Sequence, residues 1–285
     1  MGLPRTGKTT FLAALWDVVD TERIAGSLIL ESVDGDLQHL NSIRDLWANC
    51  QEIPRTLFGK EETVSLALRE RDSGARGRLS FPDMDGEAFE RQWTDRTWPK
   101  SHKEITENAD SSLMFIHPGK VKAGALIRDA RPLIAVLTQG TTEPTVSRPI
   151  AAGPPPQPSQ RFTPTQVQLV ELLQFLRWAK QGLSAFRLGI VISAWDLVMK
   201  QTAIAPDKWL EQQLPLLYQF LAANEESIVH RVFGISAQGG DITKDADTLR
   251  KSHHHPSERI IVAEGSSRSA DITLPIRWVM GMGEV

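Results

Sequence analysis

Short apolar runs and apolar residues at helical spacing mark out most of the chain. Ser111 to His117 (SSLMFIH), Leu188 to Ser193 (LGIVIS) and Ile228 to Ile235 (IVHRVFGI) are brief and rich in branched and aromatic side chains. Such runs predict strands buried on both faces. Thr63 to Arg69 (TVSLALR) alternates and predicts a half-buried strand, and Gly77 to Phe81 leads into another. Helices are predicted over Lys8 to Val19, Leu37 to Ala48, Gln166 to Lys180 and Lys208 to Ala222. In the third of these the spacing puts Val167, Val170, Leu173 or Leu172, Leu176 and Trp178 near one face. Strands alternating with helices predict an α/β fold of three layers, a mainly parallel sheet covered on both faces.

One segment breaks the pattern. Thr138 to Thr165 is rich in proline and poor in large apolar residues, so it predicts an extended or disordered insertion. The rest reads as a single domain over residues 1–285, long enough to bury a core without disulfides or metals. A net charge of -3 provides no field for nucleic acid or anionic lipid, and no basic-aromatic stripe is present, so neither partner is expected. The single cysteine, Cys50, excludes an intramolecular disulfide. No apolar run approaches the ~20 residues of a membrane span, and no signal-type stretch opens the chain. A cytoplasmic location is the expectation. The eight tryptophans read as helix or core anchors, and His253 to His255 as a solvated loop.

The chemistry begins at the N-terminus. Gly2-Leu3-Pro4-Arg5-Thr6-Gly7-Lys8-Thr9 fits G-x-x-x-x-G-K-S/T without a mismatch. In such a loop Gly2 and Gly7 let the backbone wrap a phosphate with its N–H groups inward. Lys8 supplies a point charge between the outer phosphates and the Thr9 hydroxyl a Mg²⁺ ligand, while the following helix adds its dipole. Gly2, Pro4, Arg5, Thr6, Gly7, Lys8, Thr9 and Thr10 are therefore candidate nucleotide contacts. A phosphate loop ordinarily follows a buried strand, and only Met1 precedes this one. The expectation is a sheet lacking its first strand, through a late start codon or trimming.

Asp83-Met84-Asp85-Gly86-Glu87 fits D-x-x-G after a strand. There Asp83 would sit behind Mg²⁺ and the Gly86 N–H would meet the γ-phosphate. Ser193-Ala194-Trp195-Asp196 ends one buried strand and Ser236-Ala237-Gln238 the next. Ras-like GTPases carry N/T-K-x-D and S-A-K at those two places. The Asp of the first pairs with guanine N1 and N2 donors, and the backbone of the second meets guanine O6. Ligands bind at the carboxyl ends of such strands.

In these motifs the chain resembles the Ras-like, translation-factor-related class of P-loop GTPases. More narrowly, it resembles the bacterial double-GTPase family. The resemblance rests on GLPRTGKTTFLAALW, Pro54-Arg55-Thr56, FPDMDGEAFERQW, ISAWD and GISAQGG, and covers most of the chain outside the proline-rich insertion. It implies a Ras-like sheet, GTP and Mg²⁺ as ligands, and Asp196, Ser236 and Ala237 as base readers. It also implies work as a switch or regulatory subunit with a protein effector, in a bacterial conflict or stress system. Thr56 becomes the candidate switch threonine on Mg²⁺, with an ordinary loop threonine as the alternative.

The chain departs from the pattern in places. Ser193, Ala194 and Trp195 replace the usual residues before Asp196, so the lysine stem that packs on the base is lost. Glu87 stands where Ras-like proteins place a water-orienting Gln. It either orients water against like-charge repulsion from the γ-phosphate or serves a structural role. Arg5 stands where potassium-activated GTPases hold a cation with Asn. Its guanidinium either supplies that charge in cis or points to solvent or a carboxylate such as Glu87. The leading expectation is a GTP-binding regulatory protein with slow, Mg²⁺-dependent hydrolysis, in which Lys8, Arg5 and Glu87 act in catalysis. The alternatives are an ATPase and a non-enzymatic interaction module with a degenerate site.

Overall fold

A computed structural model describes residues 1–54, 63–81, 95, 97, 100–124, 163–180 and 185–282. The elements run α1 (Lys8–Thr21), β1 (Ile29–Asp34), α2 (Leu37–Ala48), β2 (Val64–Arg69), β3 (Arg76–Phe81), α3 (Lys100–Asn108), β4 (Ser111–Ile116), α4 (Thr165–Ala179) and β5 (Phe186–Ser193). There follow α5 (Trp195–Met199), α6 (Pro206–Gln213), α7 (Pro215–Ala222), β6 (Ile228–Ser236), α8 (Ala246–Lys251), β7 (Ile261–Glu264), β8 (Ser267–Ser269) and α9 (Leu274–Val279).

The larger sheet has the order β4-β5-β6-β7-β8. Its centre, β4-β5-β6, is parallel, while β7 and β8 join antiparallel as a hairpin at one edge. A second sheet, β1-β2-β3, is antiparallel throughout. The mainly parallel sheet of the sequence reading is therefore the centre of a mixed one. The α/β class and its layers follow from side-chain alternation along the central strands. Leu113, Phe115, Val191, Phe233 and Ile235 face one way and pack with α1, α2 and α9. Met114, Ile116, Leu188, Ile190 and Ile192 face the other way and pack with α4, α6 and α7. Leu66 and Leu68 of β2 join the first of these cores, which ties the two sheets together. Among the described residues no strand precedes α1. Met1 nevertheless makes a parallel-ladder rung on β4: its nitrogen donates to Leu113 O (2.5 Å), and Phe115 N donates to its carbonyl (2.9 Å).

Two helices differ from expectation. Lys208 to Ala222 is broken into α6 and α7, because Pro215 lacks an N–H and drives Leu214 out of the helical region (φ -134°, ψ 56°). On α4 the buried face is Leu169, Leu172, Leu173 and Leu176, at i, i+3, i+4 and i+7. Val167 and Trp178, expected near that face, are exposed, and Lys103 lies over the Trp178 ring. Of the proline-rich insertion only Thr163 to Thr165 fall within the described residues.

Candidate nucleotide site

The loop before α1 is pressed against β4. A Cβ added at Gly2 (φ +149°) would stand 2.8 Å from Phe115 O and 3.3 Å from Phe115 Cβ, so no larger residue fits. Gly7 (φ +84°) closes the loop and starts α1, its carbonyl accepting from Phe11 N. Lys8 curls back over the loop, donating from Nζ to Gly2 O (2.8 Å) and Leu3 O (2.9 Å). Thr6 is buried, and its hydroxyl donates to Leu3 O (2.9 Å). Thr9 and Thr10 occupy the first turn of α1, where their backbone N–H groups lie at the positive end of the dipole.

The opposite wall comes from the ends of β5 and β6. Ala194 takes a left-handed conformation (φ 47°, ψ 45°) and turns the chain into α5. Trp195 drops into the core at 2% exposure, against β6. There Gly234 makes the room: a Cβ on it would stand 2.3 Å from the indole. The turn leaves Asp196 facing back toward the loop. Its Oδ1 accepts from Ser236 Oγ (2.5 Å), and Ser236 Oγ in turn accepts from Gly239 N (3.1 Å). Asp196 is buried, yet its second carboxylate oxygen makes no hydrogen bond among the described residues. Gly7, Thr10, Asp196, Ser236, Ala237 and Gln238 line one cavity of about 320 Å³.

Gly7, at the end of the loop, and Thr10 of α1 thus share the cavity with the Asp196 carboxylate and the Ser-Ala-Gln turn. Arg5 is exposed and lines a different cavity, on the outer side of the loop. Ser193 lines the first cavity beside Gly7, and its Oγ donates to Ile116 O (3.3 Å). Thr56, Asp83, Gly86 and Glu87 lie outside the described residues.

Three features of the site are not carried by any motif. Trp47 of α2 donates from Nε1 to Ala237 O (2.9 Å). Arg259 donates to Gln238 Oε1 (3.0 Å) and to the carbonyls of Trp47 and Ala48, with its guanidinium over the Trp47 ring. Gly239 (φ +76°) passes so close to Arg259 that a Cβ would stand 2.4 Å from its carbonyl oxygen. Together these hold the Ser-Ala-Gln turn from behind. Their partners lie far apart along the chain, so only a glycine pair at 239–240 was visible as a turn signal.

His117, at the end of β4, lines the cavity as well, and its Nδ1 accepts from Gly119 N (3.1 Å). Burial and then the neighbouring Lys120 push its pKa below the ordinary histidine value, while Asp196 pulls the other way. A histidine with a depressed native pKa contributes nothing once both states are neutral. It destabilises progressively as the pH falls through the unfolded value of about 6.5, because the unfolded chain then binds more protons. The melting temperature should therefore fall between pH 7 and pH 5 by less in His117→Asn, whose side-chain oxygen can still accept from Gly119. Equal pH slopes in thermal melts of the two proteins would contradict this.

A glycine loop opening a helix, its lysine and a carboxylate-bearing turn at the carboxyl ends of parallel strands make this the candidate nucleotide site, of P-loop type. The family model for Double-GTPase 1 matches residues 1–279, and the chain belongs to that family of P-loop GTPases. Membership supports GTP binding. Searches of the curated proteins and of the solved structures return no match.

Proposed function

We propose that the chain is a GTP-binding regulatory protein that hydrolyses GTP slowly with Mg²⁺, built as a Ras-like domain over residues 1–285. The observation that carries this reading is that Asp196, Ser236 and Ala237 line one cavity with Gly7 and Thr10. A buried carboxylate with one oxygen fixed by Ser236 and the other unpaired among the described residues suits two adjacent N–H donors, which guanine presents and adenine does not.

In this reading the backbone of residues 2–9 wraps the phosphates and Lys8 leaves its two carbonyls to bridge the outer ones. Ser236 and Ala237 border the base, backed by Trp47 and Arg259. Thr9 would hold Mg²⁺ among the described residues, with Asp83 and Thr56 as the further ligands. The ion would neutralise charge on the outer phosphates. Gly86 would meet the γ-phosphate, and Glu87 and Arg5 would complete the catalytic set.

Slow turnover is part of the proposal, because a glutamate in the water-orienting position repels the γ-phosphate. A switch of this kind works through a protein effector, in a bacterial conflict or stress system of the cytoplasm. No described helix is long and apolar enough to cross a membrane. The test is release of phosphate from GTP and ATP, each with and without Mg²⁺, under single-turnover conditions. The reading expects GTP alone to be hydrolysed, and only with Mg²⁺. Faster hydrolysis of ATP would make the chain an ATPase, and binding without hydrolysis of either would leave an interaction module.

A further inference from the structure

A second cavity, of about 330 Å³, opens on the outer side of the phosphate loop. Its walls are Leu3 to Thr6, the end of β4 through His117, and the first turns of α4. At its rim the last residue of the proline-rich insertion is tied to Lys122: Lys122 N donates to Thr165 Oγ1 (2.8 Å), and Thr165 N donates to Lys122 O (3.1 Å).

The chemistry of the lining is lopsided. Arg5, Lys120 and Lys122 all contribute to it, and none of the described lining residues is acidic. Arg5 makes no ion pair or side-chain hydrogen bond among the described residues. Leu3, Phe115, Ile116 and Leu169 supply an apolar floor. Against that floor stands Gln168, only 5% exposed, whose amide forms no hydrogen bond among the described residues. That amide is therefore available to pair with a polar group from outside the chain.

We propose that this cavity is a second binding site, for a small organic phosphate. The cations at its mouth match a doubly charged group that accepts several hydrogen bonds, and arginine does this with a planar fork. An inorganic ion would leave the apolar floor and Gln168 unused, and the volume is that of a small-molecule site. The cavity is distinct from the nucleotide cavity, since Lys8, Asp196, Ser236 and Ala237 do not line it, although Leu3 to Thr6 of the loop do. It does share Phe115 and His117 with the nucleotide cavity, and Thr6 lies 3.4 Å from Lys8 Nζ. An occupant would therefore bear on the same loop that carries Lys8.

The experiment is calorimetric titration of the full chain, without nucleotide, with phenyl phosphate and with inorganic phosphate as probes. Phenyl phosphate should bind more tightly than inorganic phosphate, and equally well to the unmodified chain and to Lys8→Ala. Lys120 is exposed, so Lys120→Glu should fold normally, as a thermal melt will show, and should weaken phenyl phosphate by about tenfold or more. Loss of binding in Lys8→Ala would place the anion in the phosphate loop and overturn the proposal. So would unchanged affinity in Lys120→Glu, or inorganic phosphate binding as tightly as phenyl phosphate.

Discussion

Lys8→Ala is expected to weaken GTP by about 100-fold or more while leaving the melting temperature within a few degrees. The two effects separate because the ammonium does different work in the two states. In the free loop Nζ donates to Gly2 O and Leu3 O at a partly exposed position. Each bond of this kind is worth about 0.5–1.5 kcal/mol net, and water replaces the donor when the side chain is removed. With nucleotide bound, the same group faces phosphate oxygens, where each charge-assisted bond is worth about 1.5–3 kcal/mol. Two such bonds account for the expected loss. Titration with a fluorescent GTP analogue, beside a thermal melt, measures both. An affinity within about threefold of the unmodified chain would mean that the phosphates do not lie in this loop.

Asp196→Ala should act on the base alone, weakening GTP by roughly 1,000-fold and ATP by less than about threefold. A site built on buried hydrogen bonds discriminates strongly because a mismatched or missing partner leaves polar groups unpaired. Alanine also removes the acceptor of Ser236 Oγ, which is itself buried, so some loss of stability is expected as well. Asp196→Asn separates the two effects. It keeps an oxygen for Ser236 but sets an amide donor against the donors of guanine, so it should fold like the unmodified chain and still lose GTP. Competition of GTP and ATP for the bound analogue reads the ratio directly. An equal loss of both nucleotides in Asp196→Asn would remove Asp196 from base selection.

Much of the central fold was legible because local pattern and tertiary role agree there. The range of α2 reads correctly from residue 37 to residue 48, and it starts where Asp36 Oδ1 accepts from His39 N. The strands β4, β5 and β6 stand out because their buried stretches, Leu113 to Ile116, Leu188 to Ile192 and Val232 to Ile235, hold only apolar residues and glycine. By contrast β1 (ILESVD) carries no such signal. It lies at the edge of its sheet, and Glu31 is compensated there by Arg69 of β2 and Arg76 of β3. That compensation is invisible to a local window. The face of α4 was misjudged for a related reason: Val167 and Trp178 are apolar, but their side of the helix meets no core.

One cavity gathers some of the residues read as candidates, while His117, Leu197, Asp241 and Ile242, which also line it, and the residues that support it were not read. Gly7, Thr10, Asp196, Ser236 and Ala237 sit in motifs whose chemistry dictates their types, and one cavity gathers them. Trp47 reaches Ala237 across 190 positions of sequence, and Arg259 reaches Trp47 across 212. Neither contact leaves a trace in spacing or periodicity. Arg5, read as a catalytic candidate, lines the outer cavity with Lys120 and Lys122.

The central claim is that the loop of residues 2–9 and the Asp196–Ser236 pair bind the two ends of one GTP molecule. A crystal structure of the full chain with Mg²⁺ and a non-hydrolysable GTP analogue tests it most directly. The account predicts phosphates within the loop, with Lys8 Nζ turned from Gly2 O and Leu3 O toward them. It also predicts guanine N1 and N2 within hydrogen-bond distance of the Asp196 carboxylate oxygen that Ser236 does not hold. Phosphates in the loop with the base directed away from Asp196, or the nucleotide bound in any other cavity, would contradict it.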